Sequence, residues 1–152
     1  MAREDLFITS KLFPQSYPYA QCGEDIDATL ERLGTGYVDL LLLHQPYGEY
    51  VSAWRAMEEA VEAGKVRSIG LSNFSAAKVH EILDVARIVP AVLQVEAHPY
   101  WNQHALKAAL ADTGVVFEAW YPLGHGDRTL LAEPALTGPA ARYGKTAAQV
   151  VL

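Results

Sequence analysis

The stretch Tyr37-Val38-Asp39-Leu40-Leu41-Leu42-Leu43, running on into His44-Gln45-Pro46, decides the fold. It is apolar almost without interruption and does not alternate. That is the pattern of a parallel strand covered on both faces, not of a half-solvated one. Four further β-rich runs surround it: Leu6–Ser10 before it, then Val66–Gly70, Val92–Val95 and Val115–Trp120 after it. Stretches of helical period lie between them. Ile26, Leu30 and Leu33 share one helical face and Gly34 ends the run. Trp54, Met57 and Val61 form the next face, with Gly64 as its stop. Val79, Leu83 and Ala86 follow, closing before Pro90, and Leu106 and Leu110 precede Gly114. Ser75 and Asn102 stand where N-caps are expected.

Strand and helix therefore alternate with a repeat of about 25–30 residues, the signature of an α/β protein with right-handed crossovers. Two architectures use that repeat, an open doubly wound sheet and a closed (β/α)8 TIM barrel. No Gly-x-Gly-x-x-Gly follows the first strand and no Gly-rich phosphate loop occurs elsewhere, which argues against the doubly wound dinucleotide fold. A barrel takes roughly 250 residues and eight strands. The 152 residues here supply five β/α units, so a single partial barrel domain spanning 1–152 is expected, truncated at both ends. Arg3-Glu4-Asp5 leads directly into a strand, and Ala147 to Leu152 reads as an unfinished helix. The first and last strands of such a sheet are expected to be open edges, with the inward face uncovered.

Composition narrows the function. Hydrophobic residues make up 51% of the chain and charged ones 20%, a globular balance. No apolar run approaches the ~20 residues of a spanning helix, and no charged-then-apolar leader is present, so neither a membrane nor a secretory role is expected. A net charge of −6 has the wrong sign for a nucleic-acid binder. The single Cys22 has no partner for an internal disulfide, and the expected setting is the cytoplasm.

Barrel chemistry collects where strands end, and here every strand ends in polar or aromatic groups. The first delivers Lys11, the second His44, the third Ser72-Asn73. The fourth carries Gln94 and Glu96 and leaves through His98-Pro99, and the fifth ends in Trp120-Tyr121-Pro122-Leu123-Gly124. Each has a plain reading beside a chemical one. Lys11 is an exposed lysine, a fixed charge that lowers a neighbour's pKa, or a Schiff-base amine. His44 caps its strand, or acts as a hydrogen-bonding or acid–base group facing substrate. Ser72, Asn73 and Gln94 cap turns, or together read a ligand carboxamide. Trp120 fills the core, or is a platform for a flat ring. The Pro122–Gly126 loop offers backbone N–H groups to a pyrophosphate. Glu96 and His98 alone are too few for a metal, and His80, His104 and His125 fall out of register, so no metal site is expected. Amide groups beside an aromatic platform describe a nicotinamide pocket.

At these residues the chain resembles the aldo-keto reductase family, in a bacterial-type member. The resemblance rests on Arg-Glu-Asp-Leu-Phe-Ile-Thr-Ser-Lys at 3–11, Leu-Glu-Arg-Leu-Gly at 30–34 and Tyr-Val-Asp-Leu-Leu-Leu-Leu-His-Gln-Pro at 37–46. It continues through Gly-Lys-Val-Arg-Ser-Ile-Gly-Leu-Ser-Asn-Phe at 64–74 and Gln-Val-Glu-Ala-His-Pro-Tyr at 94–100. Glu-Ala-Trp-Tyr-Pro-Leu-Gly at 118–124 and Tyr-Gly-Lys-Thr-Ala-Ala-Gln-Val-Val-Leu at 143–152 complete it.

The resemblance implies a (β/α)8 barrel, a monomeric enzyme that moves a hydride from NADPH to a small aldehyde or ketone. It makes Lys11 and His44 the catalytic residues present, His44 also orienting the substrate carbonyl with Phe13 nearby. It gives Ser72, Asn73, Gln94, Trp120, Tyr121, Leu123 and Gly124 to the cofactor. Trp120 stands where the family usually has Tyr, and Tyr121 where it usually has Ser. The family's catalytic Asp and Tyr lie before the first strand here, and the residues that grip the adenosine 2′-phosphate lie after the last segment. The 152 residues alone are therefore expected to be inactive. Pro139 stands at a helical position and is expected to kink or shorten that helix. The competing readings are a non-catalytic nucleotide-binding subunit and, using Lys11, a Schiff-base aldolase.

Overall fold

The computed structural model describes residues 2–152. Its strands are β1 (Thr9–Leu12), β2 (Val38–Leu43), β3 (Val66–Ser72), β4 (Val92–Glu96) and β5 (Val116–Trp120). They form one parallel sheet in sequence order, β1-β2-β3-β4-β5. The crossovers carry α1 (Tyr19–Leu33), α2 (Tyr50–Glu62), α3 (Ala76–Leu83) and α4 (His104–Ala109). After β5 come α5 (Arg128–Leu131), α6 (Pro134–Tyr143) and α7 (Ala147–Val151).

One face of the sheet packs on the helices. Leu12, Leu41, Leu43, Ile69, Leu71, Leu93 and Val95 meet Ile26 and Leu30 of α1, Trp54 and Met57 of α2, and Val79 and Ile82 of α3. Each such side chain, taken fully out of water, contributes about 1.5–3 kcal/mol. Gly34 caps α1 at φ +62°, a left-handed turn that glycine adopts without strain. The Ser75 hydroxyl caps α3 by accepting from the Lys78 N–H.

Several boundaries differ from expectation. The first strand begins at Thr9, not Leu6: Arg3–Asp5 is a 3-10 turn, and the Ile8 N–H donates to the Asp39 carboxylate at 2.9 Å instead of to a strand neighbour. Arg3 and Arg67 close on the same buried Asp39, at 2.6 and 3.1 Å. The Ile8 N–H and then the Arg3 guanidinium hold its carboxyl below the usual carboxylate range. Asn102 stands one place before the N-cap of α4. That cap is Gln103, while Asn102 Oδ1 accepts from the His104 N–H. Leu33 lies exposed at the end of its helix. Pro139 does not shorten α6, which continues to Tyr143 and ends on Gly144 at φ +59°.

The inward face also departs from a bare surface. Leu40, Leu42 and Ser72 are buried there, and Gly70 leaves room for Leu42: a Cβ on Gly70 would lie 2.8 Å from Leu42 Cδ2. Exposure grows toward the edges, where Val116 on β5 is 61% exposed.

Candidate active site

Residues paired across parallel strands point to the same face of a sheet. Lys11 pairs with Leu42 and Leu42 with Gly70, Ser72 with Gln94, Gln94 with Glu118, and Glu96 with Trp120. Two-residue steps along each strand connect these pairs. Lys11, Ser72, Gln94, Glu118 and Trp120 therefore share the inward face, and His44 follows Leu42 by one such step. At the C-terminal rim Lys11, His44, Gln45, Asn73, Trp120 and Tyr121 line one cleft of about 360 Å³.

Asn73 ties this rim together. Its φ of +65° is a left-handed conformation that asparagine tolerates better than most residues. Its N–H donates to the Gln94 carbonyl at 2.9 Å. Its side-chain Nδ2 donates to the His44 carbonyl at 3.1 Å and to Ser72 Oγ at 3.2 Å, and its Oδ1 accepts from Trp120 Nε1 at 2.8 Å. One residue, through its side-chain amide and its backbone N–H, thus fixes the ends of four strands, β2 to β5.

His44 packs edge-on against the Phe13 ring, with centroids 4.6 Å apart. Its Nδ1 is buried without a hydrogen-bond partner. Burial and then the Lys11 charge lower its pKa, favouring the neutral ring at pH 7. Lys11 is itself pushed down by burial, partly offset by the Glu118 carboxylate.

The remaining expected residues stand around the cleft in different ways. Ser72 is fully buried behind it and Gln94 nearly so. Gln94 Nε2 donates to Glu118 Oε1. Phe13 is 56% exposed and reaches the site through its contact with His44. Tyr121 lines the cleft and meets Trp120 edge-on at 4.7 Å. Leu123 and Gly124 lie beyond it, in a loop closed on itself. The N–H groups of Gly124 and Gly126 donate to the carbonyls of Tyr121 and Leu123. Trp120 and Asn73 also border a neighbouring cleft of about 600 Å³ with Glu96, Trp101 and Gln103.

Gln45 lines the cleft, as expected of the stretch Gln45 to Tyr50, and Tyr17 and Glu118 join the site beyond the residues expected from sequence. Tyr17, fully buried, donates from its hydroxyl to the Gln45 carbonyl at 2.9 Å and accepts from the Gln45 N–H at 3.1 Å, pinning the segment after His44. That pairing spans 28 positions and has no local signal. Gln45 follows His44 directly. Glu118 was findable, because it precedes the inward-facing Trp120 by one strand period.

The Aldo/keto reductase family profile matches residues 1–146. The chain belongs to the aldo-keto reductase family. An aldo-keto reductase of Mycobacterium tuberculosis strain H37Rv is 43% identical over 155 aligned residues, covering 100% of this chain and 54% of the relative. An oxidoreductase of Schizosaccharomyces pombe is 39% identical over 99% of this chain and 54% of its own length. Among solved structures, an aldo/keto reductase from Brucella melitensis superposes with a TM-score of 0.93 at 35% identity, covering 99% of this chain and 58% of that one. A Bombyx mori aldo-keto reductase in complex with NADP gives 0.91 at 29% identity, covering 99% and 55%. This aldo-keto reductase chain spans about half the length of the curated relatives it matches. Its five parallel β/α units are correspondingly about half of a TIM barrel of that family.

Proposed function

We propose that this chain carries the nicotinamide-holding and carbonyl-orienting part of an NADPH-dependent aldo-keto reductase, which reduces small aldehydes or ketones to alcohols. The observation that supports this best is the convergence of Lys11, His44, Asn73 and Trp120 on one cleft. Its volume suits a small flat ligand. Gln94 Oε1 has no hydrogen-bond partner among the described residues and Gln94 is 8% exposed, which leaves that oxygen for a carboxamide N–H. The residues present therefore fit a nicotinamide, whose reduced ring supplies a hydride when bound.

The chain's own groups then divide the work. Trp120 offers its indole to the flat ring, held in place by its bond to Asn73. Gln94 reads the carboxamide, while Asn73, whose side-chain amide is spent on His44, Ser72 and Trp120, holds the strand ends around it. Because Nδ1 of His44 has no acceptor beside it, we assign the proton of the neutral ring to Nε2, from which it donates to the substrate carbonyl. Holding the carbonyl beside the nicotinamide contributes through proximity and orientation. Phe13 and Tyr121 give the substrate side an aromatic border, suited to an apolar or aromatic carbonyl. The Leu123-Gly124 loop, expected to offer N–H groups to the pyrophosphate, instead has those of Gly124 and Gly126 bonded to its own carbonyls. The family's proton donor for the nascent alkoxide is a tyrosine in a motif that no tyrosine of this chain matches, so none of them is given that role. That role is worth about 10²–10⁴-fold in rate. The preference for NADPH rests on the family. The small carbonyl compound is the only partner proposed, in a monomeric, cytoplasmic enzyme. No helix among the described residues is long and apolar enough to cross a membrane.

The test is an NADPH titration followed by tryptophan emission, with and without an aromatic aldehyde. Quenching that disappears in Trp120→Ala supports the reading. Quenching without aldehyde-dependent loss of NADPH places this chain as the binding part alone. Unchanged emission overturns the nicotinamide reading, and borohydride trapping of a carbonyl on Lys11 would replace it with Schiff-base chemistry.

A further inference from the structure

Glu118 adjoins the site without lining the cleft. It lies on the inward face of β5, one strand period before Trp120, and pairs in register with Gln94 of β4. Its Oε1 accepts from Gln94 Nε2. A carboxylate can only accept, so the contact fixes which end of the Gln94 amide faces which way. Nε2 is committed to Glu118, and Oε1 has no hydrogen-bond partner among the described residues.

The same carboxylate shares the inward face of the sheet with Lys11, which stands on β1 at the other edge. The ionisable groups brought to this face are few. β1 gives Lys11, β2 gives His44, β4 gives Glu96 and β5 gives Glu118, while β3 contributes only the neutral Ser72 and Asn73. Glu96 is drawn to His98 Nε2 at 3.3 Å. Burial pushes the Lys11 pKa down, and the Glu118 charge on the same face works against that.

We propose that Glu118 is a positioning residue with two duties: it orients the Gln94 amide so that a carbonyl oxygen faces the ligand, and it is the countercharge of Lys11. The first duty rests on the nicotinamide reading above; the second does not. The consequence for specificity is direct. An outward-facing Oε1 accepts from a carboxamide N–H and repels a carboxylate, so the site should reject the dinucleotide whose nicotinamide is replaced by nicotinic acid.

Two variants separate the duties. Glu118→Gln keeps size and an acceptor but removes the charge, and Glu118→Ala removes both. Lys11 is followed by NMR titration of its side chain in the ligand-free protein, and its pKa should fall in both variants. The Gln94 side-chain NH2 resonances should move upfield in Glu118→Ala, as a lost carboxylate acceptor requires. Binding of NADP+ against its nicotinic acid analogue should favour NADP+ in the parent by about tenfold or more, and that preference should shrink in Glu118→Ala. An unmoved Lys11 titration overturns the countercharge. A preference retained in Glu118→Ala, or unmoved Gln94 resonances, overturns the orienting duty. Should neither dinucleotide bind the parent, the nicotinamide reading fails and takes the ligand part of the proposal with it. The Lys11 and Gln94 spectra then still decide whether Glu118 acts on them.

Discussion

The indole N–H of Trp120 donates to the side-chain carbonyl of Asn73 at 2.8 Å, joining the end of β5 to the end of β3 across the intervening strand. The orientation of the aromatic platform is therefore set by a residue whose own backbone sits at φ +65°. Strand ends, ring and amide form one mechanical unit.

Replacing Asn73 by Ala should cost about 2–4 kcal/mol. The lost partners leave buried groups unpaired at about 1–3 kcal/mol, and alanine lacks asparagine's tolerance of that φ, which adds about 1 kcal/mol. Asn73→Gly should lose less, since it removes the same hydrogen bonds without the backbone strain. Urea unfolding measures both. Trp120 emission should also shift in each, because the indole loses its acceptor.

His44 should resist protonation. Its pKa is lowered by burial first and by Lys11 second, so the folded protein binds a proton less readily than the unfolded chain. Stability therefore falls as pH drops through and below the ordinary histidine value of about 6.5, and is insensitive to His44 above it. Titration of the His44 ring by NMR checks this. In Lys11→Met the pKa should rise, yet stay below the ordinary value, because burial is the larger cause.

Gly70 is a packing requirement. A Cβ there would approach the Val92 carbonyl oxygen at 2.5 Å and Leu42 Cδ2 at 2.8 Å. The first neighbour is backbone and cannot rotate away. Gly70→Ala should therefore destabilise by about 1–3 kcal/mol and part β3 from β4, seen as a lower urea midpoint and faster amide exchange at Leu71.

Tyr17→Phe should cost about 1–3 kcal/mol, since both backbone groups of Gln45 lose their partner in a buried setting. The segment after His44 should loosen, with increased amide exchange at Gln45 as the readout.

The repeating pattern made the α/β order, the parallel sheet and its five strands legible, because runs such as Val38–Leu43 can be covered on both faces only in that way. Glycine stops at Gly34 and Gly64 and the Ser75 cap were equally readable, being local backbone chemistry. The start of β1 was not, since it depends on Asp39, thirty-one positions from Ile8, capturing a strand N–H. The same limit applies within the site. Lys11, His44, Asn73 and Trp120 were visible as strand-end residues. Their roles as partners of one another were not, and Asn73 spends both ends of its amide on protein atoms. Tyr17 carries no signal until the fold brings it beneath Gln45.

The most direct test of the whole account follows the three indole N–H signals, from Trp54, Trp101 and Trp120, by two-dimensional NMR as NADP+ is added. The account predicts that the Trp120 signal moves with saturation, together with the Asn73 and Gln94 side-chain amides, while buried Trp54 stays fixed. Movement confined to Trp101, or no movement at all at millimolar NADP+, would contradict it.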